Sequence, residues 1–192
     1  MSKSSKGSAF EREVCKQLSL WWTEGQNDNV FWRTSQSGGR ATSRAKKGKK
    51  DKYHHGDICA IDPIGQPLLD LITFELKRGY SRNTIQDLLD SPKGKCKYLE
   101  WIEKIEEQAA SPFWLLIVQR DRRKALAMVP DDLWTSVTGM DGIFYCPNSY
   151  IETQDLGAVV VLPLVDFLKS IDPIDITSLP ERRKCLLQKL NP

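Results

Sequence analysis

The sequence has no long hydrophobic run. Its longest apolar stretch, Gly157 to Leu168, contains Pro163 and Asp166 and is too short to cross a bilayer, so no membrane partner is expected. The first residues, Met1-Ser2-Lys3-Ser4-Ser5-Lys6, are too polar for a signal peptide. Ordered cysteine is missing too. Cys15, Cys59, Cys96, Cys146 and Cys185 are scattered, odd in number and form no C-x-x-C. That argues against a disulfide framework or a thiolate zinc site and fits a reduced, cytoplasmic setting. The two histidines, His54 and His55, are adjacent and make a poor zinc pair. No internal repeat appears, and no G-x-x-x-x-G-K-[ST] loop that would power a motor. A strong net charge is also absent, since 28 basic and 25 acidic residues leave +3.

The distribution of charge says more than its sum. Residues 33–53 hold eight Lys or Arg and one acid, a local charge of +7, while the remainder carries −4. A basic segment on a mildly acidic body points to a polyanion partner. With 192 residues the chain is long enough for one domain with a real core. The expected organisation is a polar leader over 1–7, one domain over 8–171 carrying a basic loop at 34–53, and a helical extension over 172–192.

Leu68-Leu69-Asp70-Leu71-Ile72-Thr73-Phe74 reads as a buried strand that ends on Glu75-Leu76-Lys77. At a strand's period of two, Glu75 and Lys77 share one side. Gly56-Asp57-Ile58-Cys59-Ala60-Ile61 reads as a second strand. Asp62-Pro63-Ile64-Gly65-Gln66-Pro67 between them reads as a turn-rich connection, so an antiparallel pair is expected. A twisted pair brings Asp57 near Glu75 and Lys77. Two carboxylates beside a lysine suit a divalent cation and phosphodiester hydrolysis.

Upstream, Phe10, Val14, Leu18 and Trp21 recur at helical spacing and predict a helix over 8–22. Ser8 and Glu11 match a capping box, so Glu11 reads equally as a helix cap or as a site residue. Val30 to Arg33 reads as a short strand. Arg33, Ser35, Ser37, Arg40, Arg44, Lys46 and Lys47 are candidate nucleic-acid contacts, with Arg33 and Arg40 the best phosphate forks. His55, two residues before Asp57, and Gln86, after the E-x-K strand, are secondary candidates. Helices are expected over 84–90, 95–110, 164–171 and 181–190, and opening at Pro130. Strands are expected over 113–118, 125–129, 143–146 and 158–162.

Asp57 followed by Glu75-Leu76-Lys77 resembles the PD-(D/E)xK nuclease superfamily. Lys6-Gly7-Ser8-Ala9-Phe10-Glu11-Arg12-Glu13 and Arg33-Thr34-Ser35-Gln36-Ser37-Gly38-Gly39 resemble the opening helix and Arg/Ser loop of archaeal-type Holliday junction resolvases. The likeness covers roughly residues 6–78. It departs at Gly56, where the superfamily has proline, and in the basic insertion before Asp57. The resemblance implies an α/β, restriction-endonuclease-like core, a central mixed β-sheet flanked by helices. It implies a metal-dependent DNA endonuclease in which Asp57, Glu75, the Leu76 carbonyl and Glu11 hold Mg²⁺, Mn²⁺ substituting, and Lys77 assists. It also moves Glu11 from cap towards site. A resolvase would act as a two-fold homodimer. The alternatives are a restriction-like or phage endonuclease acting on duplex DNA, a catalytically silent nucleic-acid-binding module on the same fold, and an unrelated α/β protein. The last is favoured if Asp57 and Glu75 fall on strands that are not neighbours.

Overall fold

The computed structural model describes residues 3–34, 56–90, 95–138, 149–153 and 157–179. Helix α1, Lys3–Trp22, leads into β1, Phe31–Arg33. Strand β2, Ile58–Ala60, precedes a 3-10 turn, Pro63–Gly65, and helix α2, Gln66–Leu71. Next come β3, Ile72–Arg78; α3, Asp87–Asp90; α4, Lys97–Gln108; and β4, Phe113–Gln119. The chain continues through β5, Leu126–Pro130; α5, Asp131–Thr138; β6, Ser149–Thr153; β7, Gly157–Pro163; α6, Leu164–Ser170; and α7, Pro173–Thr177.

Five strands form a mixed sheet in the order β3-β4-β5-β7-β6. β3 and β4 run parallel, Glu75 opposite Leu116 and Lys77 opposite Val118, and α4 lies on the crossover between them. The other pairs are antiparallel. Strands β1 and β2 form a separate antiparallel ribbon. This is an α/β, restriction-endonuclease-like architecture.

Side chains alternate across the sheet and build a core on each face. Phe74, Leu76, Leu115 and Ile117 pack with Phe10, Val14 and Leu18 of α1. Trp114, Leu116 and Val118 pack with Tyr98, Trp101, Ile102 and Ile105 of α4. Trp114 and Trp134 are both buried. The buried Ser19 hydroxyl accepts from the backbone N–H groups of Val30 and Phe31 and donates to the Cys15 carbonyl. One side chain thereby fixes β1 against α1.

Several expectations are corrected. The run from Leu68 is not one strand: Leu68 and Leu69 are buried on α2, and β3 begins at Ile72. A short, mostly apolar run does not distinguish a buried helix turn from a strand. β2 and β3 are therefore not an antiparallel hairpin. Their link carries a helix, and they meet through a parallel bridge between Gly56 and Phe74. Helix α1 starts at Lys3, so Ser8 is an interior helical residue and not a cap. Of the helix expected over 84–90 only Asp87–Asp90 is α-helical; Ile85 and Gln86 form a turn before it, and the Asp87 carboxylate accepts from the Thr84 N–H and hydroxyl as in a capping box. On α4 the buried stripe runs through Tyr98, Trp101, Ile102 and Ile105. The strand expected at 143–146 and the helix at 181–190 lie outside the described residues.

Candidate active site

The site is built around the outer edge of β3. Phe74 and Leu76 turn their peptide groups away from β4 and towards Asp57. The Asp57 N–H donates to the Phe74 carbonyl at 2.7 Å, and the Leu76 N–H donates to Asp57 Oδ2 at 2.8 Å. From the other side the Thr34 N–H donates to the Asp57 carbonyl at 2.9 Å. Asp57 is thus held by backbone on both flanks. Gly56 makes this approach possible. Its φ is +78°, and a Cβ there would lie 1.9 Å from the Phe74 carbonyl oxygen. Proline, locked near −65°, cannot adopt that conformation, which accounts for glycine at this position.

Glu75 and Lys77 leave β3 on the face covered by α4, in register with Leu116 and Val118. The Lys77 ammonium is ion-paired with Glu75 Oε1. Lys104 of α4 approaches the same oxygen at 3.7 Å. Glu11 comes from α1, which packs on the opposite face. Its Oε2 lies 3.3 Å from Arg33 Nη1, without hydrogen-bond geometry, and is a buried oxygen with no hydrogen bond. Asp57 feels Glu75, Lys77 and Glu11. Burial is the largest influence and the Glu75 charge the second, and together they push its carboxyl from 3.8 up to about 6. The Leu76 N–H and the Lys77 charge pull it down, and Glu11 adds a weaker upward push. Burial also drives the Cys15 thiol nearby up to about 12, so it is an inert apolar residue.

Asp57, Glu75 and Lys77 are therefore brought together, with Glu11 and Arg33 alongside. Glu11 reaches an arginine rather than its own helix start. Asp57 and Glu75 lie on directly contacting segments, so the condition that would favour an unrelated α/β protein is not met. Ser35, Ser37, Arg40, Arg44, Lys46, Lys47 and His55 lie outside the described residues. Gln86 is exposed on the turn before α3, where its carbonyl accepts from Leu89 and Asp90. Lys104 was not among the sequence candidates. The one signal for it is a lysine three residues after Trp101, flanking the buried stripe of the crossover helix.

Among the described residues, no three His, Cys, Asp or Glu side chains are grouped as a metal cage. Mg²⁺ does not require one, since it keeps several waters and takes one or two carboxylates plus substrate phosphates. Asp57 and Glu75 supply that donor set. Their mutual repulsion marks an edge with room for positive charge. The residues fit a hard divalent cation.

A family model with the description "Phage putative PDDEXK endonuclease" matches residues 2–178. No curated protein and no solved structure matches the chain. No helix among the described residues is long and apolar enough to cross a membrane.

Proposed function

The chain belongs to the family of phage PD-(D/E)xK endonucleases, and from that premise we propose that it is a metal-dependent endonuclease that hydrolyses phosphodiester bonds in DNA. The observation that carries the reading is the pinning of Asp57 against the Leu76 N–H, beside a Glu75 already paired with Lys77.

Asp57 and Glu75 would hold Mg²⁺, or Mn²⁺ in its place, together with the Leu76 carbonyl. That carbonyl faces the same edge as the N–H that Asp57 accepts. Glu11 would act through a water. The cation supplies a polarised phosphoryl oxygen and a bound water of lowered pKa. Lys77 offers a fixed positive charge to the phosphate oxygens as negative charge builds on them, or orients the attacking water. Its pairing with Glu75 keeps the ammonium aimed at the reacting group. Arg33 would bind a flanking phosphate through its planar fork, with the basic segment after it attracting the DNA backbone.

The finer reading is cleavage of branched DNA by a two-fold dimer. It rests on the resolvase resemblance of the opening helix and the Arg/Ser loop, and is supported by the Glu11 charge being felt at Asp57. The rivals are cleavage of ordinary duplex and binding without cleavage. The test offers supercoiled plasmid, linear duplex and a four-way junction to wild type and Asp57→Asn, with Mg²⁺ or EDTA. Cutting that needs Mg²⁺ and is lost in the variant is the expected result. Preference for the junction would establish the structure-specific reading. DNA binding without any cutting would leave the silent module.

A further inference from the structure

We propose that Lys104 forms a second phosphate-binding position of the site, released to the DNA when Glu75 turns to a divalent cation. The inference rests on the nuclease reading above and adds to it a residue from the second half of the chain. Lys104 belongs to α4, the crossover helix over the face on which Glu75 and Lys77 stand. Its ammonium is 3.7 Å from Glu75 Oε1, the oxygen that Lys77 already holds. Glu75 thus carries two ammonium partners for one negative charge.

The charges around the edge make the arrangement informative. Among the described residues that meet at this edge, Glu11 stands against Arg33 and Glu75 against Lys77, which leaves Asp57 and Lys104 as the remaining anion and cation. A dication taken up by Asp57 and Glu75 makes the edge positive by two charges. Two phosphodiester groups restore the balance: the scissile one and a neighbour. Lys104 is the partner of Glu75 best placed to change hands. Its side chain is 53% exposed against 17% for Lys77, its contact is the longer, and it stands on a separate element. A flexible four-carbon stem lets the ammonium swing from a carboxylate to a phosphate on the same side of the sheet.

A merely structural lysine would brace Glu75 and have no bearing on DNA affinity. The test therefore measures binding of one duplex in EDTA, over roughly 50 to 200 mM salt, in four proteins: wild type, Lys104→Ala, Glu75→Gln and the double variant. Glu75→Gln frees Lys104 without any metal. In that background Lys104→Ala should weaken binding by about fivefold and lower the slope of log affinity against log salt by about 0.9. In the wild-type background the loss should be smaller, because Lys104 is still held by Glu75. Lys104→Arg should retain most of the affinity. No change of slope in the Glu75→Gln background would overturn the proposal, and an equal loss in both would overturn the hand-over from Glu75. Failure of the nuclease reading is seen separately, as no cleavage by wild type with Mg²⁺ or Mn²⁺.

Discussion

Asp57→Asn should stabilise the protein at pH 8 while removing activity. Burial and the Glu75 charge raise the Asp57 carboxyl from 3.8 to about 6 in the fold. An acid whose folded value is raised favours the fold fully below its unfolded value, and that advantage is lost as pH rises through the folded value. Above about pH 6 the ionised side chain therefore weighs against the fold, by at most about 3 kcal/mol. Asp57 is half-buried, so solvent screening reduces the expected gain to about 1–2 kcal/mol. Asparagine removes the charge but keeps a carbonyl oxygen to accept from the Leu76 N–H. At ~2–4 °C per kcal/mol for a chain of this size, Tm in EDTA should rise by about 3–6 °C at pH 8. The gain should shrink as pH falls through about 6 and close near pH 4, where wild-type Asp57 is itself protonated. Thermal melts of both proteins at pH 8, 6 and 4 read this directly. A variant no more stable than wild type at pH 8, or a gap that does not vary with pH, would refute the reasoning.

Other outcomes follow from the same geometry. Glu75→Gln and Lys77→Met should each lower the cleavage rate at least ~100-fold while leaving a folded protein, checked by plasmid cleavage beside circular dichroism. Cation binding should weaken as pH falls below about 6, because a proton then competes for Asp57; titration calorimetry with Mg²⁺ or Mn²⁺ at pH 5 and 8 tests the sign. Gly56→Ala should cost at least about 1–2 kcal/mol from the left-handed backbone alone, with lost activity as Asp57 is pushed off β3; denaturant melts and a cleavage assay measure both. Ser19→Ala should cost about 2–3 kcal/mol, since two buried N–H groups lose their acceptor, and should lower stability before it touches chemistry.

The carboxylates and the lysine could be read from sequence because their chemistry is local to short segments. An E-x-K at the end of an apolar strand is conspicuous, and period two puts both side chains on one face. How Asp57 reaches them was not legible. It depends on a left-handed glycine and a parallel bridge, and neither has a pattern in one sequence. The buried turn of α2 was hidden for a different reason: Leu68 to Phe74 is broken only by Asp70 and Thr73, and a periodicity argument needs more polar residues than that to measure against. Lys104 was hidden because a lysine beside a helix stripe is ordinary until the helix is laid over Glu75.

β3 is the terminal strand of its sheet, joined to β2 through the single bridge at Gly56 among the described residues. A bare edge strand is a template onto which another chain can add, and proteins guard such edges with charge. Beyond the bridge, β3 carries Glu75, Lys77 and Arg78. Asp57 already engages the outward Phe74 carbonyl and Leu76 N–H, and the groups proposed to cut DNA would add charge against the sheet growing sideways into aggregates. An inactive variant made by replacing them with apolar residues would lose solubility for reasons unrelated to catalysis.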